Sequence, residues 1–127
     1  MKYALLIYSP SSAGEYAAAA LPRTDDDTPG EWVKYTQAAK DAGVLVAAEQ
    51  LTHTETATSV RVRGDDRLIT DGPFMETKEH LLGFYLVDVD DLDAAIDWAR
   101  RMPVNEGMTV EVRAAASGLP WQRALTD

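Results

Sequence analysis

The sequence contains no cysteine among its 127 residues. Disulfides, thiolate metal sites and cysteine nucleophiles are therefore excluded, and the absence fits a reducing cytoplasm. Positive charge is also scarce, because 12 basic residues stand against 21 acidic ones and the formal net charge is −9. An acidic surface repels phosphate backbones and anionic lipids, so we expect no nucleic acid and no membrane among the partners. No apolar run approaches the roughly 20 residues that cross a bilayer.

Several recognisable site chemistries are missing as well. The chain has no glycine-rich phosphate loop, no nucleophile elbow and no zinc-ligand pattern, so we expect no cofactor and no bound metal. Its two histidines are His53 and His80. His80 follows Glu76 by four residues and would share a helix face with it, but no third ligand stands at a suitable spacing. A solvent-facing His80 is the simpler interpretation.

The apolar pattern predicts a series of short elements. A nearly continuous apolar stretch at residues 2–8 predicts a central strand that is buried on both faces. Residues 12–20 predict a short helix, because Ser12 and Glu15 have the spacing of a capping box, and residues 21–29 predict a polar loop. Further strands are predicted at residues 44–48, 58–63, 67–70, 82–89 and 110–113.

Two longer helices have well-marked ends. The first is predicted from Pro29 to Ala42, with Thr28 as its cap, an apolar face at Trp32, Tyr35, Ala39 and Ala42, and Gly43 as its stop. The second begins after Asp90 or Asp91 and stops at Pro103, with an apolar face at Leu92, Ala95, Ile96, Ala99 and Met102.

The order of elements is strand, helix, strand, hairpin, strand, helix, strand. Two right-handed strand–helix–strand units in one sheet predict an α+β ferredoxin-like sandwich, with an antiparallel sheet and both helices on one face. A self-complementary homodimer is an economical way to cover the other face. This domain would span residues 1–113, and residues 114–127 would form an extended arm with Trp121 as its apolar anchor.

Residues 71–79 are the least core-like part of the chain after the long loop. Gly72 and Pro73 predict a tight turn, and Asp71 can accept hydrogen bonds from nearby amides. Glu76, Lys78 and Glu79 then place two carboxylates and one ammonium together. These groups suit a polar pocket floor that moves protons and orients an anionic substrate. They equally suit a capped turn that ion pairs hold in place.

The segment Asp71-Gly72-Pro73-Phe74, followed by Glu76, Lys78 and Glu79 and then by Gly83-Phe84-Tyr85, resembles the signature of the DGPF-domain proteins of the YCII-related family. The opening strand and residues 88–103 are similar to that family too. The resemblance implies a dimeric α+β barrel with a cleft near the subunit interface. It also implies an association with a sigma factor of the extracytoplasmic-function type, because genes for such proteins often lie beside one.

Three hypotheses for the function follow. The first is a small cofactor-independent enzyme or small-molecule-binding protein, the second is a non-catalytic accessory or regulatory module linked to a sigma factor, and the third is an enzyme of the dimeric α+β barrel monooxygenase type. For the first, the acid–base candidates are Asp71, Glu76 and Glu79, with Lys78 orienting the substrate and His53 as a partner for Asp71. A plain loop histidine is the alternative for His53.

Aromatic residues supply the candidates for substrate contact, which are Phe74, Tyr85 and Tyr8. Tyr3, Tyr8, Trp32, Phe84 and Tyr85 could line an aromatic cavity, although residues at such strand and helix spacings are more often core. Arg61, Arg63 and Arg67 form a small basic group that could attract an anion or could be a solvated hairpin face.

Overall fold

The structure, a computed structural model, describes residues 1–10, 30–52, 54–74 and 78–126. The helix predicted at residues 12–20 and the loop predicted at residues 21–29 lie outside the described residues. The described part contains six strands, namely β1 (Lys2–Pro10), β2 (Leu45–Gln50), β3 (Thr58–Arg63), β4 (Asp66–Asp71), β5 (Glu79–Asp88) and β6 (Thr109–Ala114). Its two α-helices are α1 (Gly30–Asp41) and α2 (Leu92–Arg100).

Four strands form one antiparallel sheet in the order β2-β5-β1-β6. The chain passes from β1 through α1 to β2, and from β5 through α2 to β6, so each helix connects two strands that have a third strand between them. This arrangement confirms the predicted antiparallel α+β fold of the ferredoxin-like type. The strand ends differ from the predicted ends by up to three residues, which is the usual uncertainty of boundaries drawn from a pattern.

The sheet has one face that carries the core. Tyr3, Leu5 and Ile7 of β1 are 4%, 0% and 5% exposed, and they cluster with Tyr35 of α1 and Ala95 of α2. Both helices therefore pack on this face. Full burial of an aliphatic side chain such as Leu5 contributes about 1.5–3 kcal/mol.

The prediction that β1 is buried on both faces was wrong. Its alternate residues Ala4, Leu6 and Tyr8 are only half-buried, and they face away from the helices because successive strand side chains point to opposite sides. An uninterrupted apolar run does not distinguish a strand between two packed layers from one whose second face stays open in the single chain.

Helix α2 begins as predicted. The backbone N–H of Ala94 donates to Asp91 Oδ1 at 2.9 Å, so Asp91 is the N-cap. Of the predicted apolar face, Ala95 and Met102 are buried, whereas Leu92 is 49% exposed. Helix α1 ends at Asp41, and Ala42 is exposed rather than part of the packed face because Gly43, at φ 74°, turns the chain away.

Strands β3 and β4 form a separate two-stranded sheet, as the predicted hairpin requires. Val60 lies opposite Ile69, and these two side chains are 61% and 73% exposed. The predicted basic group lies on this hairpin, and all three of its arginines are exposed. The hairpin therefore contributes little to the core.

The carboxyl-terminal segment differs from the predicted extended arm. Residues Pro120–Leu125 form a 3-10 helix, and the N–H of Leu119 donates to Gln122 Oε1 at 2.7 Å at its start. Trp121 is 63% exposed, so it does not anchor the segment on this chain. Among the residues that the structure describes, no helix is long and apolar enough to cross a membrane.

Candidate functional site

A cavity of about 500 Å³ lies between α1 and the part of the sheet formed by β2 and β5. Its size is within the usual range for small-molecule sites. Its lining residues are Ile7, Trp32, Val33, Thr36, Gln37, Lys40, Ala48, Glu49, Gln50, Leu82, Gly83 and Tyr85. The cavity combines an apolar body with a few polar groups, which is typical of a binding site for an organic molecule.

Helix α1 supplies one wall of the cavity. Trp32, Thr36 and Lys40 recur every four residues and therefore lie along one stripe of the helix. At a rise of about 1.5 Å per residue, the stripe extends for about 12 Å. It runs from an indole ring in the first turn through a hydroxyl to an ammonium in the last turn.

Aromatic rings connect this wall to the sheet. Trp32 of α1 stacks on Tyr85 of β5, with 6.1 Å between the ring centroids and 20° between the planes. Tyr35 meets the Tyr85 ring edge-on at 5.3 Å, and the Tyr35 hydroxyl donates to the carbonyl of Trp98 on α2 at 2.8 Å. Burial is the main cause that raises the pKa of Tyr35, so this phenol stays neutral and donating. The rings that line the cavity are therefore held by the core behind them.

A pair of hydroxyl groups lies in the cavity wall. Thr36 Oγ1 and the Tyr85 hydroxyl are 2.6 Å apart and share one hydrogen bond. Two hydroxyls contain two O–H donors and the shared bond uses one of them. The pair can therefore donate the other to a ligand.

Strands β2 and β5 form the floor of the cavity. Gly83 lies opposite Gln50, and Tyr85 lies opposite Ala48, so the side chains of Ala48 and Gln50 share the Tyr85 face. Glu49 lies opposite Phe84, which pairs with the outward-facing Leu6. The register therefore directs the Glu49 side chain to the opposite face, although Glu49 is one of the lining residues.

Among the described lining residues, Lys40 is consequently the one whose charged side chain lies on the cavity's face of the sheet. It forms no salt bridge with any residue that the structure describes. The nearest acidic neighbour in sequence, Asp41, accepts a hydrogen bond from Gln37 Nε2 at 2.7 Å. Asp41 does not line the cavity.

The turn at residues 71–74 is attached to the β3–β4 hairpin. The N–H of Gly72 donates to the carbonyl of Ala57 at 2.6 Å, and Ser59 Oγ donates to the carbonyl of Gly72 at 2.8 Å. Gly72 has a φ of 96°, which confirms that the turn requires glycine. Phe74 is 66% exposed, and the guanidinium of Arg61 lies 5.8 Å from its ring centroid.

The other predicted site residues lie apart from the cavity lining where they are described. Asp71 ends β4 opposite Thr58 and is exposed, while Lys78 and Glu79 are exposed at the start of β5. Glu76 and His53 lie outside the described residues. The acid–base roles of Asp71, Glu76, Glu79 and His53, and the orienting role of Lys78, stay predictions.

The aromatic candidates separate into two groups. Tyr85 lines the cavity, whereas Tyr8 is on the alternate set of β1 residues that faces away from the helices. Substrate contact by Tyr85, Tyr8 and Phe74 stays a prediction. The sequence pattern predicts Trp32 as a core or cavity residue in general. It assigns no role to Thr36, Gln37 or Lys40, although the four-residue spacing of Trp32, Thr36 and Lys40 on α1 is a signal that could identify them.

His80 is half-buried rather than solvent-facing. Its Nδ1 lies 2.8 Å from Thr54 Oγ1, in the 3-10 turn Thr54–Thr56. Within the described ranges, no group of three or more His, Cys, Asp or Glu residues could hold a metal ion.

Fold and site define a ferredoxin-like α+β domain with an aromatic-walled cavity between its first helix and its sheet. The model of the YCII-related domain matches residues 1–116, and the chain belongs to that family. An uncharacterised protein of Rhizobium meliloti (strain 1021) is 38% identical to it over 101 residues, which are 79% of this chain and 78% of that protein.

Proposed function

We propose that this YCII-related protein binds a small organic molecule in the cavity between α1 and strands β2 and β5. The observation that carries this proposal is the cavity itself, about 500 Å³ in volume and lined by Trp32, Tyr85 and the hydroxyl of Thr36. The aromatic rings offer an apolar surface to a flat molecule, and the hydroxyl pair offers one directed hydrogen bond. Trp32, Thr36 and Tyr85 are the binding residues in this proposal.

This proposal retains the first of the three functional hypotheses but locates the binding site in the cavity and not at the Asp71–Phe74 turn. The Asp71–Phe74 turn is bonded to the hairpin, and its described residues are absent from the cavity lining. We place ligand recognition in the cavity and treat the turn as the structural element that joins the hairpin to β5. The same turn motif supports a place for this chain in the DGPF-domain subgroup of the family.

A screen of organic fragments by saturation-transfer NMR tests the proposal. In Ala48→Leu a larger side chain enters the cavity, and in Ala47→Leu the same change is made one residue earlier, opposite Leu86 on the other face. We expect a subset of fragments to bind wild type and Ala47→Leu but to lose at least tenfold in affinity for Ala48→Leu. Failure of every fragment to bind wild type, or unchanged binding to Ala48→Leu, would overturn the proposal.

Homodimer formation is part of the same proposal. Leu6, Phe84 and Leu86 lie together on the sheet face opposite the helices, where all three are half-buried in the single chain. Apolar residues on an open sheet face favour association with a matching face. A second copy of the chain is the partner that we infer for this face.

A further inference from the structure

We infer that the ligand of this cavity is a flat, apolar molecule with one carboxylate group, which Lys40 binds. This inference rests on the proposed function and adds the chemical class of the ligand. It derives from three features of the described lining residues, which are the Lys40 ammonium, the donor groups and the aromatic wall.

The charge on the cavity's face is positive although the chain is strongly acidic. Lys40 contributes an ammonium, while the Glu49 side chain faces the other side of the sheet. Asp41 is not a lining residue, and its carboxylate accepts a hydrogen bond from the lining residue Gln37. Charges more than about 10 Å away are largely screened at 0.1 M salt, so the overall charge of −9 does not decide the local preference. A lysine in the last turn of a helix also interacts favourably with the helix dipole, but this interaction leaves its ammonium available to bind a ligand.

Lys40 and Thr36 of α1 favour an acceptor on the ligand, whereas the Gln37 amide, which donates to Asp41, can pair with either a donor or an acceptor. Lys40 has three N–H donors and no acceptor, and the Thr36–Tyr85 pair has one O–H donor to spare. A carboxylate carries only acceptors when it is ionised. The ammonium lies one turn beyond Thr36 on the same stripe, so a carboxylate at Lys40 would leave the ligand body beside Thr36, Tyr85 and Trp32.

The aromatic wall favours a flat body for the ligand. The planes of Trp32 and Tyr85 are 20° apart, and Tyr35 supports Tyr85 from the core side. A planar ring can stack on such a wall, whereas a branched aliphatic group makes less contact with it. The proposed ligand class is therefore that of flat molecules that carry a negative charge.

A matched series of three compounds tests the inference, namely 2-naphthoate, 2-naphthamide and (2-naphthyl)methylamine. They share one ring system and carry a negative, a neutral and a positive group at neutral pH. Binding is followed through the indole N–H signal of Trp32, one of three tryptophans, which is identified by its loss in Trp32→Phe. We expect 2-naphthoate to bind wild type about three- to tenfold more tightly than 2-naphthamide, as exposed or partly screened charge pairs allow. The amine should bind most weakly.

Two lysine variants separate the role of Lys40 from a general charge effect. Lys40→Met keeps an apolar stem of similar length, and Lys34→Met makes the same change at an exposed α1 residue outside the cavity lining. We expect Lys40→Met to reduce the preference for naphthoate to less than twofold and Lys34→Met to retain it. The wild-type preference should also shrink between 20 and 500 mM salt.

The outcomes distinguish the ligand class from the binding site. Equal binding of naphthoate and naphthamide to wild type, or an undiminished preference in Lys40→Met, overturns the carboxylate class. If Ala48→Leu still abolishes binding in either case, the cavity remains the site and the proposed function stands. If none of the three compounds binds while fragments do, the class alone is overturned. If Ala48→Leu leaves the Trp32 response to all three compounds unchanged, the proposed function fails as well.

Discussion

Gly83 lies where two strands approach too closely for any side chain. A Cβ atom at this position would lie 2.6 Å from the carbonyl oxygen of Glu49 and 3.3 Å from the Cα atom of Gln50. Both atoms belong to the backbone of β2, so neither can move aside without shifting the strand. At the scale of the residue, the missing side chain lets the edge strand close against β5 and shapes the floor of the cavity.

Gly83→Ala should destabilise the protein by about 1–3 kcal/mol, because the new methyl group has to displace the β2 backbone. Urea unfolding at 25 °C measures the change. Gly30→Ala is the matched control, since a Cβ there meets nothing within 4 Å, and alanine in the first turn of α1 should be neutral or slightly stabilising. A Gly83→Ala protein as stable as wild type would contradict the close approach of the strands.

Asp88 forms an ion pair with the amino-terminal ammonium. Its Oδ1 accepts a hydrogen bond from the ammonium of Met1 at 2.8 Å. That hydrogen bond and the charge of the ammonium lower the pKa of Asp88 below its usual value. Because the folded pKa is depressed, the associated stability is present above the unfolded pKa of about 3.9 and is lost as the pH falls through the folded value.

Asp88→Asn should therefore reduce the acid dependence of unfolding below about pH 4, while the change at neutral pH stays small because both groups are exposed. Thermal unfolding of wild type and variant between pH 2 and pH 7 tests this. The control is Asp93→Asn, which changes the net charge by the same amount but removes an acidic residue in the first turn of α2. Parallel curves for wild type and Asp88→Asn would exclude the pairing with Met1.

At the scale of elements, a hydrogen bond from a tyrosine side chain connects the two helices. The hydroxyl of Tyr35 on α1 reaches the carbonyl of Trp98 on α2, near the end of that helix. The N–H of Met102, four residues on, bonds instead to the carbonyl of Ala99, so the Trp98 carbonyl is one of the orphan acceptors at a helix end. This hydrogen bond connects α1 to α2 on the face of the sheet that carries the cavity.

Tyr35→Phe should cost about 1–3 kcal/mol of unfolding free energy, because it leaves the Trp98 carbonyl without its donor in a part-buried position. It should also weaken fragment binding in the cavity, which is measured by the Trp32 indole signal. Tyr8→Phe is the control, since the Tyr8 hydroxyl forms no hydrogen bond with the described residues. Equal stability of the two variants would show that the bond between the helices has no energetic role.

At the scale of the whole molecule, the sheet has two unequal faces. Both helices pack on one face, where Leu5 and Val87 are fully buried. The other face carries Leu6, Phe84 and Leu86 near its centre, and Glu111 and Arg113 of β6 flank them. An apolar centre with a polar rim is the usual composition of a protein interface.

We expect wild type to be a dimer by light scattering at micromolar concentration. Leu6→Lys should weaken the dimer at least tenfold, because it places a charge at the centre of the apolar face. Leu92→Lys changes an α2 residue that is already 49% exposed and should leave the dimer intact. A wild-type monomer under these conditions would contradict the proposed assembly, as would a Leu6→Lys variant that dimerises like wild type.

The sequence by itself determined the order of elements, a helix cap at Asp90 or Asp91, the hairpin and the antiparallel α+β class, because each depends on local periodicity or on the conformational limits of a few residues. The structure then identified Asp91 as the cap. The Asp71–Phe74 motif likewise indicates the family from the sequence alone. Only the tertiary structure decided where the cavity lies and that Trp32, Thr36 and Lys40 line it with Tyr85. Residues 32–40 and residue 85 belong to elements that are distant in sequence, and only helix–sheet packing brings them together. The predicted site residues came from a conspicuous turn, but local polarity does not show whether a segment lines a cavity or holds a hairpin in place.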